Sequence, residues 1–321
     1  MTALIHIRSL KKYFQTYDGF LSKRDKTVKA VDDVSLDIEH GEILGLVGES
    51  GCGKTTLGRM SINLIKPTSG EVFFNGVDIL KLDNQSLNAL RPKMQIIFQD
   101  PFSSLNPRFT VERIIGEAMM IHGLAVRSNL KMKVAEIMQK VGLPQSLMNR
   151  YPHEFSGGQR QRIGIARALS LNPQYLVCDE PISALDVSIQ AQIINLLKEL
   201  QDKENISILF ISHDLNVVKH LSHRTAVMYL GQIVESVPTK NLNNKAAHPY
   251  TRALLASKPS TDPAETNDHI PLSGDTPSPI NPPTGCYFHP RCPEASDRCK
   301  KEQPTKVNLE EHHTVACHLY S

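Results

Sequence analysis

No apolar run in this sequence approaches the roughly 20 residues that cross a bilayer; the longest, Ile43–Val47 and Ile208–Ile211, are strand-sized. Nothing at the N-terminus resembles a signal peptide, because Arg8, Lys11 and Lys12 at once break the apolar stretch Met1–Ile7. Neither sign of charge is in excess: 36 Lys and Arg against 33 Asp and Glu give +3, spread along the chain with only short basic pairs such as Lys11-Lys12 and Lys300-Lys301. That excludes a nucleic-acid arm and a polybasic membrane anchor. The expectation is a cytosolic protein that reaches a membrane only through a partner. Cysteine is scarce until the end: Cys52 and Cys178 stand alone, whereas Cys286, Cys292, Cys299 and Cys317 crowd the tail. In a reducing compartment such a cluster is more often a metal site than a disulfide framework.

What the chain does contain is a phosphate cradle. Gly48-Glu49-Ser50-Gly51-Cys52-Gly53-Lys54-Thr55-Thr56 follows the apolar run Ile43–Val47 and precedes a helical pattern over Leu57–Ile65. The spacing fits G-x-x-x-x-G-K-[ST]. Glycines let successive N–H groups curl around an anion, and the helix that starts there aims its positive end at the same point. Lys54 is expected to reach the β- and γ-phosphates and Thr55 to place its hydroxyl on Mg²⁺.

At 321 residues the chain accommodates one nucleotide-binding unit plus an appendage. Alternation in Ala30–Ile38 and the turn Asn75-Gly76 predict a small antiparallel sheet around the loop, with an exposed polar insert between Phe14 and Val28. Strands are expected at Glu71–Phe74, Met94–Phe98, Tyr175–Cys178, Ile206–Ile211 and Ala226–Leu230, and helices at Ser86–Leu90, Ile189–Leu200 and Leu215–Leu221. From Val111 to Gly142 the period turns helical, which predicts an inserted helical subdomain. Strands alternating with helices imply a parallel α/β sheet. After Val237 the composition shifts to Pro, Asn and Ser, with a linker over Pro259–Pro283, so the boundary is placed near Pro238.

Two further segments turn the cradle into a particular machine. Tyr175–Cys178 ends in Asp179-Glu180, where Asp179 can join the Mg²⁺ shell and Glu180 can polarise an attacking water. Phe155-Ser156-Gly157-Gly158-Gln159 opens a helix over Arg160–Ser170 and forms a second cradle of backbone N–H groups. Two cradles and one nucleotide loop call for a second chain. The sequence closely resembles the ATP-binding subunit of ABC transporters from Leu4 to about Ser236. The resemblance implies an α/β P-loop NTPase with a parallel core sheet, a small antiparallel β subdomain and an inserted helical subdomain at about residues 105–170. It makes residues 1–237 the ATPase domain and 238–321 a Cys-containing C-terminal extension. It also implies that Gly48–Thr55 is the Walker A loop, Gln99 the Q-loop glutamine and a further Mg²⁺ contact, and Ser156-Gly157-Gly158-Gln159 the signature. Asp179 ends Walker B, Glu180 is the catalytic glutamate, Ser183-Ala184-Leu185-Asp186 the D-loop and His213 the switch histidine. Phe155 departs from the usual Leu of the signature, a volume-conserving apolar swap. Phe14 is the expected adenine-stacking aromatic, with Tyr13 the alternative.

Phe98–Arg108, Leu185–Gln192, His248–Leu255 and Ser278–Pro283 resemble the oligopeptide/dipeptide importer branch, and the signature and D-loop resemble its F-type subunit. The resemblance implies ATP and Mg²⁺ as ligands and a homologous ATPase chain, paralogue or second copy, as dimer partner. It further implies two membrane-spanning permeases and an external peptide-binding protein, no nucleic acid, and a peripheral position on the cytoplasmic face of the membrane. Antimicrobial peptide or nickel as cargo, and a non-transport ABC ATPase, remain alternatives. Four thiolates at Cys286, Cys292, Cys299 and Cys317 suit either zinc or a [4Fe–4S] cluster; related subunits carry the cluster, and no gap is a zinc knuckle. Cys52, beside a helix N-terminus, is expected to be an alkylation site that ATP protects.

Overall fold

Ile43–Val47 is apolar, β-branched or glycine throughout, and the structure, a computed structural model describing residues 3–17, 25–256 and 274–321, buries all five as a strand. In chain order the elements are β1 (Ile5–Tyr17), β2 (Asp25–Ile38), β3 (Ile43–Val47), α1 (Lys54–Ser61), β4 (Ser69–Phe74), β5 (Val77–Asp78), α2 (Asn84–Leu90), β6 (Met94–Ile97) and α3 (Pro101–Ser104). There follow α4 (Val111–Ile121), α5 (Leu130–Lys140), α6 (Gly157–Leu169), β7 (Tyr175–Asp179), α7 (Val187–Glu204), β8 (Ser207–Ser212), α8 (Leu215–Leu221) and β9 (Arg224–Tyr229). The last are β10 (Gln232–Pro238), α9 (Leu242–Lys245), α10 (Pro249–Ala256), α11 (Asp297–Lys301), β11 (Lys306–Glu310) and β12 (His313–Ala316). Of the insert expected between Phe14 and Val28, the two ends are strand instead, in β1 and β2, and residues 18–24 lie outside the described residues, as does much of the Pro259–Pro283 linker.

The chain divides into two compact units, the first holding residues 1–4, 38–43 and 77–211 and the second residues 5–37, 44–76 and 212–321. In the first, β7 pairs in parallel with β6 on one side and β8 on the other, Ile97 facing Cys178 and Asp179 facing Ile211. All five residues of β7 are buried, as a strand covered on both faces requires. The helical stretch expected over Val111–Gly142 is two helices, because Gly123 at φ +69 ends α4 and the chain reverses before α5. Thr110 caps α4 by accepting the Arg113 N–H, and Ile114, Ile115 and Met119 bury one face of it. Arg162 of α6 donates to the Val141 carbonyl at 2.6 Å, tying the end of α5 to α6.

In the second unit β1 runs antiparallel to β4, and β3 runs parallel to β9 with Val47 opposite Val227. Here the expectation of a parallel sheet needs an amendment: β9 turns back into β10, which pairs with β12, which pairs with β11, all antiparallel. The turn is made at Leu230 and Gly231, both at positive φ, as a tight hairpin demands. The tail is thereby part of this unit's sheet. Buried Glu235 of β10 fastens it, its carboxylate accepting the Ala247 N–H at 2.8 Å, the His248 N–H at 3.0 Å and His313 Nε2 at 2.9 Å.

Candidate functional site

The phosphate loop belongs to the second unit. A Cβ on Gly48 would stand 2.1 Å from the Met228 carbonyl oxygen, and one on Gly53, at φ +107, 2.0 Å from that of Ala30. Only glycine fits either position, so the loop wraps this tightly because of its sequence. The helix begins at Lys54, earlier than the expected Leu57, and Gly53 gives it no side-chain cap. Its first-turn N–H groups therefore face the loop. Thr55 and Thr56 lie in that turn, half-buried, while Ser50 and Gly51 are exposed at the tip. Lys54 is buried, and its ammonium donates to the carbonyls of Gly48 at 2.8 Å and Glu49 at 2.9 Å.

Cys52 corrects an expectation. Its side chain is 3% exposed, and burial pushes the thiol up, against the pull of the Lys54 ammonium. A buried neutral thiol is not the reactive thiolate the loop position suggested. His213, exposed, directly follows β8, and Asp214 after it caps α8 by accepting the Asn216 N–H. Phe14 is 38% exposed with Lys12 Nζ 4.9 Å from its ring centre, while the Tyr13 hydroxyl donates to Asp32.

The acidic residues belong to the first unit. Asp179 ends β7 with no exposed surface. Glu180 stands just beyond the strand at φ +47, a left-handed conformation that costs an L-residue about 1–2 kcal/mol. It is held there by its N–H to the Ile211 carbonyl at 3.1 Å and by Gln99, whose Nε2 donates to the Glu180 carboxylate at 3.0 Å. Such strain collects at functional sites. The structure thus joins two residues that the sequence singled out separately.

Ser156 and Gln159 form a capping box: the hydroxyl accepts the Gln159 N–H at 3.4 Å and the Gln159 carboxamide accepts the Ser156 N–H at 3.1 Å. A Cβ on Gly158 would be 2.5 Å from Ile189, and one on Gly157 3.3 Å from Leu185. These glycines let the loop Ser156–Gln159 pack directly on Leu185 and the start of α7. Asp186 is exposed at the N-cap of α7 and makes no side-chain cap bond. Phe155 is buried, consistent with the apolar swap.

Several contacts escaped the sequence. Arg160 stacks over Phe102, 3.9 Å from the ring centre, and Arg167 donates to the Ser104 carbonyl at 2.6 Å, so α6 grips the segment after Gln99. Arg291 pairs with Glu49 of the phosphate loop across 242 positions, a separation at which spacing carries no signal. Only the basic character of Arg291 and the acid in the loop offered a hint.

The tail cysteines are all unpaired, and among the described residues no group of three or more His, Cys, Asp or Glu side chains stands where it could hold a metal ion. The expected [4Fe–4S] or zinc centre is therefore not supported by the side-chain placement. The sulfurs of Cys286, Cys292 and Cys317 accept backbone N–H groups of their own loops, from Phe288, Glu294 and Leu319. Cys299 Sγ lies 3.5 Å from the Ser296 N and 3.3 Å from its hydroxyl.

Among the described residues no helix is long and apolar enough to cross a membrane. Residues 31–183 match the ABC transporter family and residues 234–299 the oligopeptide/dipeptide transporter C-terminal region. The chain is 51% identical over 321 residues to the oligopeptide transport ATP-binding protein AppF of Bacillus subtilis (strain 168), covering 99% of this chain and 98% of that one. It is 50% identical over 317 residues to a probable peptide ABC transporter ATP-binding protein of Sinorhizobium fredii, covering 99% and 90%. Among solved structures it resembles a dimeric ATP-binding cassette in a post-hydrolysis state bound to ADP and Pi, at TM-score 0.65 and 26% identity, over 73% of this chain and 98% of that one. The motifs, the P-loop fold and these likenesses agree: the chain belongs to the ATP-binding subunits of ABC transporters, in the branch that carries the oligopeptide/dipeptide transporter C-terminal region.

Proposed function

We propose that this chain is the ATP-hydrolysing motor of a peptide importer, and that residues 1–237 act as the ATPase and 238–321 as the branch-specific extension. The observation that carries it is the glycine-locked loop Gly48–Lys54 on a chain half identical to peptide-transport ATP-binding proteins. In this reading the loop N–H groups, Lys54 and His213 bind the triphosphate, and Phe14 stacks on adenine. Thr55, Gln99 and Asp179 offer hydroxyl, amide and carboxylate oxygens, the hard donors that suit Mg²⁺, which would offset phosphate charge. Glu180 accepts the proton of the attacking water as it adds to the γ-phosphorus and ADP leaves. Ser156–Gln159 and Asp186 act on nucleotide bound to a homologous partner chain, since the loop and its N-terminal dipole form a second anion cradle. ATP-driven closure of that dimer pulls on two permeases through Gln99–Pro107, and a binding protein outside delivers the peptide.

The tail cysteines enter the same reading as a four-thiolate centre, iron–sulfur or zinc. What supports it is chemical: Cys286, Cys292, Cys299 and Cys317 lie within electrostatic reach of one another, and each sulfur faces a backbone N–H, from Phe288, Glu294, Ser296 or Leu319. Such N–H donors stabilise ligating thiolates. Anaerobic purification followed by iron, sulfide and zinc analysis tests it: metal in stoichiometric amount supports the centre, and metal-free protein removes it. The function itself is tested by deleting the gene and measuring uptake of labelled di- to pentapeptides by the cells; loss restored by the wild-type copy and not by Lys54→Ala supports it, while undiminished uptake refutes it.

A further inference from the structure

The short stretch between Cys286 and Cys292 touches the nucleotide-binding half of its own unit at two places. On one arm, Arg291 Nη1 donates to both carboxylate oxygens of Glu49, each at 3.0 Å. The two side chains are only 7% and 22% exposed. The Thr276 hydroxyl donates to the same carboxylate, and the Tyr250 hydroxyl accepts the Glu49 N–H at 3.0 Å. Beneath them Tyr229, Tyr250 and Phe288 pack ring against ring with centroids 4.7–5.3 Å apart. On the other arm, the Tyr287 hydroxyl donates to one Asp32 oxygen at 2.6 Å while Tyr13 donates to the other. Tyr13 adjoins Phe14 on β1, the strand expected to present the adenine-stacking aromatic.

Glu49 is a liability in a triphosphate cradle. Its charge opposes the ligand's, and the loop tip at Gly51, with open space where a Cβ would stand, has conformations to lose on binding. A buried arginine that takes both carboxylate oxygens removes both problems together: it cancels the charge and fixes the loop. We infer that the Cys286–Cys292 stretch is a clasp, with Arg291 and Tyr287 as positioning residues that preorganise the phosphate loop and the adenine strand for ATP. The inference rests on Gly48–Thr56 being the ATP phosphate loop.

The test is calorimetric binding of Mg–ATP to the purified full chain, with melting temperature read on every variant. Arg291→Gln leaves Glu49 half-buried and unpaired beside the phosphates, and is expected to weaken binding about tenfold, a coupling typical of contacting residues. Adding Glu49→Gln to it removes the stray charge and is expected to recover most of that loss; Arg291→Lys, which keeps the charge but not the guanidinium's further contacts to the Tyr229 and Thr276 hydroxyls, falls between. A purely structural arginine would behave otherwise: the melting point would drop and the second substitution would not restore affinity. Should Arg291→Gln fail to fold, Tyr287→Phe and Tyr250→Phe each delete one hydroxyl and are expected to weaken binding about threefold. Wild-type affinity in these variants, with Lys54→Ala abolishing binding, overturns the clasp alone. Wild-type affinity in Lys54→Ala overturns the phosphate-loop assignment beneath it.

Discussion

Gln99 Nε2 donates to the Glu180 carboxylate at 3.0 Å, joining a glutamine two residues past β6 to the acid just past β7. Because β6 and β7 are parallel neighbours, their C-terminal ends lie side by side, where open α/β sheets bind ligands. Glu180→Gln is expected to keep ATP binding while lowering turnover by on the order of a hundredfold to ten-thousandfold, the usual worth of a positioned base. Gln99→Glu sets two carboxylates against each other and is expected to impair turnover more than Gln99→Ala at neutral pH. Single-turnover hydrolysis distinguishes these; Glu180→Gln hydrolysing at the wild-type rate would remove Glu180 from its role.

The grip of α6 on the segment after Gln99 has its own consequence. Arg167 holds the Ser104 carbonyl and Arg160 covers Phe102, which remains 61% exposed. If that segment transmits force to a permease, Arg167→Ala loosens transmission before it touches chemistry. Hydrolysis by the isolated chain is expected to change by less than about threefold, while stimulation by the assembled permeases falls by on the order of tenfold. Equal loss in both assays would assign Arg167 to stability alone.

Cys52 offers a check on burial. With the thiol pushed up and the side chain enclosed, alkylation of the folded chain is expected to be slower than that of a free thiol by on the order of a hundredfold, with or without ATP. Mass-spectrometric labelling rates measure it, and rapid labelling that ATP blocks would restore the reactive-loop expectation.

His248 makes the extension sensitive to acid. Burial holds its imidazole down at about 3 from the ordinary 6.5, and its Nδ1 accepts the Tyr250 N–H at 3.0 Å, a bond only the neutral ring can make. The unfolded chain therefore binds the proton first. Stability is complete above pH 6.5 and is lost as pH falls below it, by about 1.4 kcal/mol per pH unit at most until about pH 3. Denaturation of wild type and His248→Gln between pH 7 and 5 reads the difference: the variant is less stable at pH 7 and has a flatter pH dependence. Parallel pH profiles would exclude His248 as the cause.

Much of this was legible because the chemistry is local. A loop of Gly48, Gly51 and Gly53 before Lys54 needs its residues consecutive, and so does the capping box of Ser156 and Gln159. The Gln99–Glu180 bond was half legible: each residue closely follows an apolar strand, but pairing of the strands is a property of the sheet. The tail was legible as the oligopeptide/dipeptide transporter C-terminal region but not as strands. β11 and β12 are short, Val315 is the only residue of either strand with a strictly buried apolar side chain, and β12 reaches β10 alongside a Glu235–His313 contact that spans 78 positions. The metal centre is expected from cysteine spacing and from the resemblance to related subunits, neither of which fixes where the thiols point.

The most direct test of the central claim is ATP-driven uptake of a labelled peptide into proteoliposomes containing this chain, its permeases, its ATPase partner and the binding protein. The account predicts peptide accumulation that requires Mg–ATP inside with the ATPase chains, and that Glu180→Gln abolishes. Peptide uptake of equal extent with Glu180→Gln, or ATP hydrolysis that no peptide-loaded binding protein stimulates, would contradict it.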